Sequence, residues 1–323
     1  MNAELPAALR AALDAQLEGV SRRDLAGRAQ QVSAHYRQGG GSAAVVQGSA
    51  DALAYALTRL PATYAAMRAV LGEAARAAPG FAPQSLLDAG AGPGGAGWAA
   101  LEVWPQIDEA ALLDHNRSFL ALAGQLAAQG PPALAGARRV SGDLAAPDPP
   151  AADLVVVGYA LAELAPAAQV RAVEALWGAA QRMLALVEPG TPAGFARLRE
   201  ARERLVAAGA RIAAPCPHEA ACPLVGEDWC HFAQRLPRSR DHRLAKGADA
   251  PFEDEKFAYL VAVRPQVELA PRAARILAPP RAGKPGVDLK LCTPAGLERR
   301  RVARRDKPAF TALRRLGWGD RLE

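Results

Sequence analysis

The chain has 323 residues, 50% hydrophobic and 22% charged, with a formal net charge of +6. That composition excludes collagen, a coiled coil and wholesale disorder, and four cysteines in a chain this long do not make a disulfide scaffold. No uncharged apolar run reaches the ~18 residues that span a bilayer, so no membrane partner is expected, and the basic balance points towards a polyanion.

The first stretch, MNAELPAALRAALDAQLEG, carries Glu4, Asp14 and Glu18 and reads as neither a secretory nor a transit peptide. With the heavy Ala, Arg and Pro usage, this predicts a cytoplasmic bacterial protein. Leu5, Leu9, Ala12 and Leu17 recur at helical spacing. Gly39, Gly40 and Gly41 break the pattern, and Tyr36-Arg37 beside them reads as a flexible loop or a phosphate contact. A second helix is expected from about Ser49 to Leu60, ended by Pro61, and a third from there to Pro79-Gly80. Residues 81–190 change character. The apolar runs SLLDAG (85–90), ALLDH (111–115), DLVVVGYAL (153–161) and MLALVEPG (183–190) alternate with helical stretches, which predicts βαβ units and a parallel sheet. FAYLVAVRP (257–265) reads as a further strand of that sheet. Between them, a helix over about 194–208 gives way to a loop-like segment holding three of the cysteines. VDLKLCTP (287–294) alternates as a strand does, and the last 25 residues are strongly basic. The expected organisation is a helical region at 1–80, a core at 81–265 with a Cys-rich insertion at 209–256, and a basic extension at 266–323.

Directly after the first of these strands comes Asp88-Ala-Gly90-Ala-Gly92-Pro-Gly94-Gly95. Glycines let a chain turn sharply from strand to helix and bring backbone amides close to a ligand. Gly90-x-Gly92-x-x-Gly95 also fits a dinucleotide loop, and a tight turn without a ligand is a third reading. Asp88 tips the choice, because an acid two residues before the first glycine resembles the first motif of class I S-adenosylmethionine (SAM)-dependent methyltransferases. In that class the loop underlies the methionine part of the cofactor. Asp114 ends the next strand, where a carboxylate can accept both ribose hydroxyls, and Asp143 in SGDL falls where such enzymes often contact the adenine amino group. The expected fold is therefore α/β, a Rossmann-like class I SAM methyltransferase core. Asp148-Pro149-Pro150-Ala151 is not the Asp-Pro-Pro-Tyr motif of amino-group methyltransferases, because it precedes the fourth strand and lacks the aromatic. That strand runs instead into Gly158-Tyr159-Ala160-Leu161-Ala162-Glu163, placing Tyr159 and Glu163 near the mouth.

The cysteines form Cys216-Pro-His218-x-x-x-Cys222-Pro, then Asp228-Trp229-Cys230-His231, with Cys292 far downstream. Clustered thiols in a reducing compartment read as metal ligands before disulfides. Zinc ribbons use tighter pairs, so the wider spacing suits a [4Fe–4S] cluster better; a zinc site, with His218 or His231 as a ligand, and ordinary core cysteines are the alternatives. The pair Pro215-Cys216 could also mark a cytosine-5 methyltransferase nucleophile, but it lies outside the core strands.

Several stretches together resemble one family. They are SAHYRQGG (33–40), LPATYAA (60–66), LLDAGAGPGGAGWAA (86–100), LVEPGTPAGF (186–195), the cysteine run and VDLKLCTPAGLERRRVARRD (287–306). The chain is similar over nearly its whole length to the methyltransferase-like proteins of the mitochondrial small ribosomal subunit and their bacterial homologues. The resemblance implies a ribosome-associated assembly factor that binds small-subunit rRNA, with SAM on Asp88, Gly90, Gly92 and Gly94. It implies a [4Fe–4S] cluster on Cys216, Cys222, Cys230 and Cys292. Arg299, Arg300, Arg301, Arg304 and Arg305, followed by Lys307, Arg314 and Arg315, are the expected RNA contacts, with Arg235 to Lys246 as a second basic stretch brought near them. An active rRNA methyltransferase and a redox-responsive RNA-binding regulator are the other readings, and the free protein is expected to be a monomer.

Overall fold

The computed structural model describes residues 3–37, 40–146, 148–313 and 315–322, apart from the side chains of Tyr36, Arg37 and Ala43. Gly39, Arg314 and the expected Tyr36-Arg37 contact lie outside the described residues.

Two helices, α1 (Ala7–Gln16) and α2 (Arg22–Arg37), precede a single long one, α3 (Ser49–Ala77). Pro61 lies inside α3 and does not end it, contrary to expectation. A mid-helix proline costs about 3 kcal/mol. Leu57, Leu60, Ala62, Tyr64, Met67, Val70 and Leu71 are all buried along α3, and burying each large side chain returns about 1.5–3 kcal/mol. Packing on both sides of the proline therefore outweighs its local penalty.

From there strands and helices alternate: β1 (Ser85–Ala89), α4 (Gly95–Val103), β2 (Glu109–Asp114), α5 (Arg117–Ala127), α6 (Pro132–Ala135), β3 (Arg138–Ser141), β4 (Ala152–Gly158), α7 (Pro166–Ala179), β5 (Ala180–Pro189) and α8 (Pro192–Ala207). The segment expected to be loop-like contains β6 (Arg211–Ala214), β7 (Phe232–Pro237) and α9 (Arg240–Lys246), and leads into the long β8 (Phe252–Val263). The large sheet runs β3-β2-β1-β4-β5-β8-β6, with β7 on the free half of β8. Strands β1 to β5 pair in parallel, and β8 runs antiparallel to β5, β6 and β7. The chain reverses direction across the sheet between β1 and β4, the switch point of a Rossmann-like sheet. With its antiparallel β8 this is the class I methyltransferase arrangement. The expected strand at 257–265 is thus in the sheet but antiparallel. It follows β7 and pairs antiparallel with it, Phe232 opposite Phe257 and Pro237 opposite Phe252, so the chain turns back on itself where a crossover would have kept its direction.

β4 and β5 are apolar on both faces because helices cover both sides of the sheet. α3 and α4 lie over one face, and α7 and α8 over the other. A second, antiparallel sheet follows, from β9 (Ala274–Ile276), β10 (Arg281–Ala282), β11 (Gly286–Thr293), β12 (Gly296–Ala303) and, after α10 (Lys307–Leu313), β13 (Arg321–Leu322). Val287, Leu289 and Leu291 alternate into a small core with Ile276 and Leu313. Among the described residues no helix is long and apolar enough to cross a membrane.

Candidate functional site

The turn after β1 is shaped by its glycines. Gly90 has φ +70°, and a Cβ there would lie 2.4 Å from that of Ala160. Gly94, with φ +87°, caps α4, which starts at Gly95. Gly92 also has positive φ, but the space where its Cβ would stand is open. That space belongs to a cavity of about 340 Å³ walled by Asp88, Gly90, Gly92, Gly95, Gly158 and, from α3, Tyr55, Leu60 and Thr63. The α3 wall has no signature in the sequence, because nothing local says which part of a buried helix will cross the loop.

Asp88 is 1% exposed at the end of β1. Its Oδ2 accepts the Gly97 amide at 2.8 Å, and its Oδ1 is buried without a partner among the described residues. Burial pushes the carboxyl up to about 8, against the pull of the Gly97 amide and with a further push from Asp114. Asp114 accepts the Gly92 amide at 2.8 Å through Oδ2 and the Asn116 amide at 2.7 Å through Oδ1, and burial raises its pKa too. It therefore fixes the middle of the glycine loop. Asp143 accepts the Ala145 amide in the loop after β3, and it is not among the walls of this cavity. The orphaned carboxylate oxygen of Asp88 and the open Gly92 fit the ammonium end of SAM, whereas Asp114, like Asp143, is not among the walls and spends both oxygens on backbone amides.

Two further features stand at the carboxyl ends of the strands. Tyr159, just after β4, has φ +63°, a strained conformation for a bulky residue. Burial and nearby Glu255 push its phenol well above the usual range. Glu163 accepts both the amide and the hydroxyl of Ser42, at 2.8 and 2.7 Å. Asn116, which caps α5, donates Nδ2 to the Val46 carbonyl at 2.8 Å. The chain from Ser42 to Val46 is thus tied across the ends of β2 and β4.

The four cysteines come together. Cys216, Cys222, Cys230 and Cys292, with His218, line one cavity of about 600 Å³ that opens to solvent. The Cys292 sulfur is 3.5 Å from His218 Nε2. Burial lifts the thiols of Cys216, Cys230 and Cys292, the last to about 12, and neighbouring thiols lift each further. Among the described residues, no three His, Cys, Asp or Glu side chains form a group that could hold a metal ion directly. Four thiols on the walls of one cavity are nonetheless the donor chemistry that zinc and iron–sulfur centres use. Two buried arginines, which sequence reading did not single out, stand in the wall. Arg275 pairs with Glu73 at 2.7 Å and donates to the Gly319 carbonyl at 2.7 Å. Arg202 on α8 donates to the carbonyls of His218 and Ala220 at 2.7 and 2.8 Å, tethering the loop between the first two cysteines. Lys290 binds Asp228, so β11 also holds the loop before Cys230.

On β12, Arg299 faces Lys290, Arg301 faces Asp288 and Leu297 faces Cys292, so these arginines share a sheet face with the fourth cysteine. Part of the expected basic surface is neutralised internally. Arg300 pairs with Glu298 at 2.7 Å and Arg301 with Asp288 at 2.5 Å. Arg235 pairs with Asp254, and Arg238 and Lys246 share Glu253. Arg304 lies over the Phe310 ring at 5.9 Å, and Arg305 is exposed in the turn after β12.

Residues 49–323 match the model of the family described as mitochondrial small ribosomal subunit Rsm22. The chain belongs to this family. It is 30% identical over 289 residues, 84% of its own length, to the human mitochondrial ribosome assembly protein METTL17. The chain spans 62% of the length of that relative. Solved structures that resemble it include an O-methyltransferase family protein from Burkholderia thailandensis, 12% identical with a TM-score of 0.45 over 69% of this chain and 62% of that one. Magnesium protoporphyrin IX methyltransferase from Synechocystis with bound SAM is 14% identical with a TM-score of 0.39, over 68% and 84%. The chain is therefore a homologue of a ribosome assembly protein built on a methyltransferase-like fold.

Proposed function

We propose that the protein is a bacterial, cytoplasmic assembly factor of the small ribosomal subunit that binds rRNA, carries a [4Fe–4S] cluster and holds SAM without using it for methyl transfer. The observation that carries this reading is the convergence of three cysteines of the 216–230 loop with Cys292 of β11 on one cavity, next to a basic strand, in a chain that is 30% identical to a ribosome assembly protein. Cys216, Cys222, Cys230 and Cys292 would hold the cluster, whose bulk would fill the void between them; zinc is the alternative occupant. Bound there, the metal centre supplies folding free energy, joining the 216–230 loop to β11. SAM would rest on Asp88, Gly90, Gly92 and Gly94, with Asp114 towards its ribose and Asp143 left for the adenine edge. Arg299, Arg304 and Arg305 are the stronger candidates for phosphate contacts, because Arg300 and Arg301 are already engaged by Glu298 and Asp288.

The assembly reading is favoured over an active rRNA methyltransferase by the Ser42–Val46 segment. An acceptor base must reach the methyl group from the carboxyl ends of the strands, and this segment is tied across them through Glu163 and Asn116. Binding of the purified chain to small-subunit rRNA, followed across salt concentration, tests the reading. Affinity should fall steeply with salt and weaken when Arg299 and Arg305 are both replaced by Ala. Salt-independent binding, or none, would count against it.

A further inference from the structure

We infer that Arg202 is the charge-balancing residue of the cysteine site, the fixed cation that lets the cavity hold a negatively charged metal centre. The inference rests on the reading of that cavity as a metal site, and it concerns a residue outside the ligand set.

Arg202 is 4% exposed, and its guanidinium lies in the wall formed by Cys216, His218, Cys222 and Cys292. One of its nitrogens is committed to the His218 and Ala220 carbonyls, and its Nε is buried with no partner among the described residues. The two buried arginines of this wall differ in one respect. Arg275 has a carboxylate, Glu73, at 2.7 Å; the ion pairs found among the described residues include none for Arg202. A buried cation without a counter-charge is strongly unfavourable, and proteins keep one only where something anionic balances it. Four thiolates outweigh the positive charge of either a zinc ion or a [4Fe–4S] core, so the assembled centre is net negative. Each thiol releases its proton to solvent on ligation, and Arg202 is then a buried positive charge in the same wall with no carboxylate paired to it among the described residues. The same charge favours the more negative, reduced form of a cluster and so raises its potential.

The test uses anaerobically purified full chain with wild type, Arg202→Gln, Arg202→Lys and Arg199→Gln compared side by side. Arg199 lines the same cavity but is exposed, so its charge is already solvated. Iron and zinc content, the rate of metal loss to a chelator and the midpoint potential of the iron-loaded protein are read on each. The expected result is a rate of metal loss at least tenfold faster in Arg202→Gln, with a lower midpoint potential. Arg199→Gln should match wild type. Arg202→Lys keeps the charge while losing the planar fork that grips two carbonyls, and should retain most of its metal; it decides the matter should the Gln variant fail to fold. Arg202→Gln with wild-type metal content, loss rate and potential would overturn the inference. So would an Arg202→Lys variant as leaky as Arg202→Gln, which would reduce Arg202 to a loop tether. Folded wild type free of both iron and zinc would instead overturn the metal reading beneath it.

Discussion

The glycine-loop cavity takes most of its wall from one continuous stretch, Asp88 to Ala96, whereas the cysteine cavity draws on α8, the 215–230 loop, β8, β9 and β11. The first is held in shape by the parallel sheet and by amides that Asp88 and Asp114 grip directly. The second is tied together by two arginines and one lysine from different segments. A site made from one turn keeps its geometry without a ligand. On the metal reading proposed above, a site made from five segments gains order from the centre that joins them, so its order should follow its metal content.

The sharpest way to break that comparison is Cys222→Ser. It should remove nearly all bound metal and strip hydrogen-exchange protection from residues 216–232 and 286–293, while β1 to β5 stay protected. Uniform loss across both regions would mean that the two cavities are not independent. Glu73→Gln comes next. It leaves the buried Arg275 without its carboxylate, and Arg275 also supports the Gly319 carbonyl, so a loss of about 3 kcal/mol is expected in chemical denaturation.

At the glycine loop, Gly90→Ala should destabilise by about 1–3 kcal/mol, since the new methyl would overlap Ala160 and the backbone has positive φ. Gly92→Arg projects into open space and meets only the strain of its positive φ, about 1–2 kcal/mol, so the fold should survive while SAM binding by calorimetry is abolished. A smaller, pH-dependent effect separates the regions further. Asp88, whose ordinary value of 3.8 is raised to about 8, stays protonated in the folded chain while the unfolded chain ionises. Its contribution therefore becomes less favourable as pH rises from about 4 to about 8 and is constant above that. Asp88→Asn should accordingly gain on wild type, in the absence of SAM, across that window, and equal pH profiles would contradict the burial argument. The smallest expected difference lies on β12. Arg299→Ala should lower the salt slope of RNA binding by about one, and Arg301→Ala by less, because Asp288 already engages it.

The comparison also explains what the sequence could disclose. The glycine loop was legible because its chemistry lies in eight consecutive residues after an apolar strand, and β1, β2, β4, β5 and β8 fall close to their apolar runs. Local punctuation misled at Pro61, where tertiary burial along α3 overrides a breaker. It also hid β6 and β7, whose short runs carry Arg211, Gln234 and Arg235 and join the sheet only through pairing with β8. At the cysteine cavity the four thiols stood out as residue types, but Arg202 did not. It sits in an arginine- and glutamate-rich helix, and nothing in that pattern marks which arginine turns inward. The basic clusters gave the opposite difficulty, since cross-strand pairing sets Arg301 against Asp288, thirteen residues away, and cancels charge that a count along the chain adds up.

One measurement bears most directly on the claim that this methyltransferase-like fold docks on the small subunit and does not modify it. Anaerobically purified protein, with iron and acid-labile sulfide quantified on the same sample, is incubated with labelled SAM and small subunits from cells lacking the protein. The account predicts iron-loaded protein that cosediments with immature subunits and leaves no label in the rRNA. Label at a single rRNA site, absent with the Gly92→Arg variant, would contradict it and make the protein a methyltransferase.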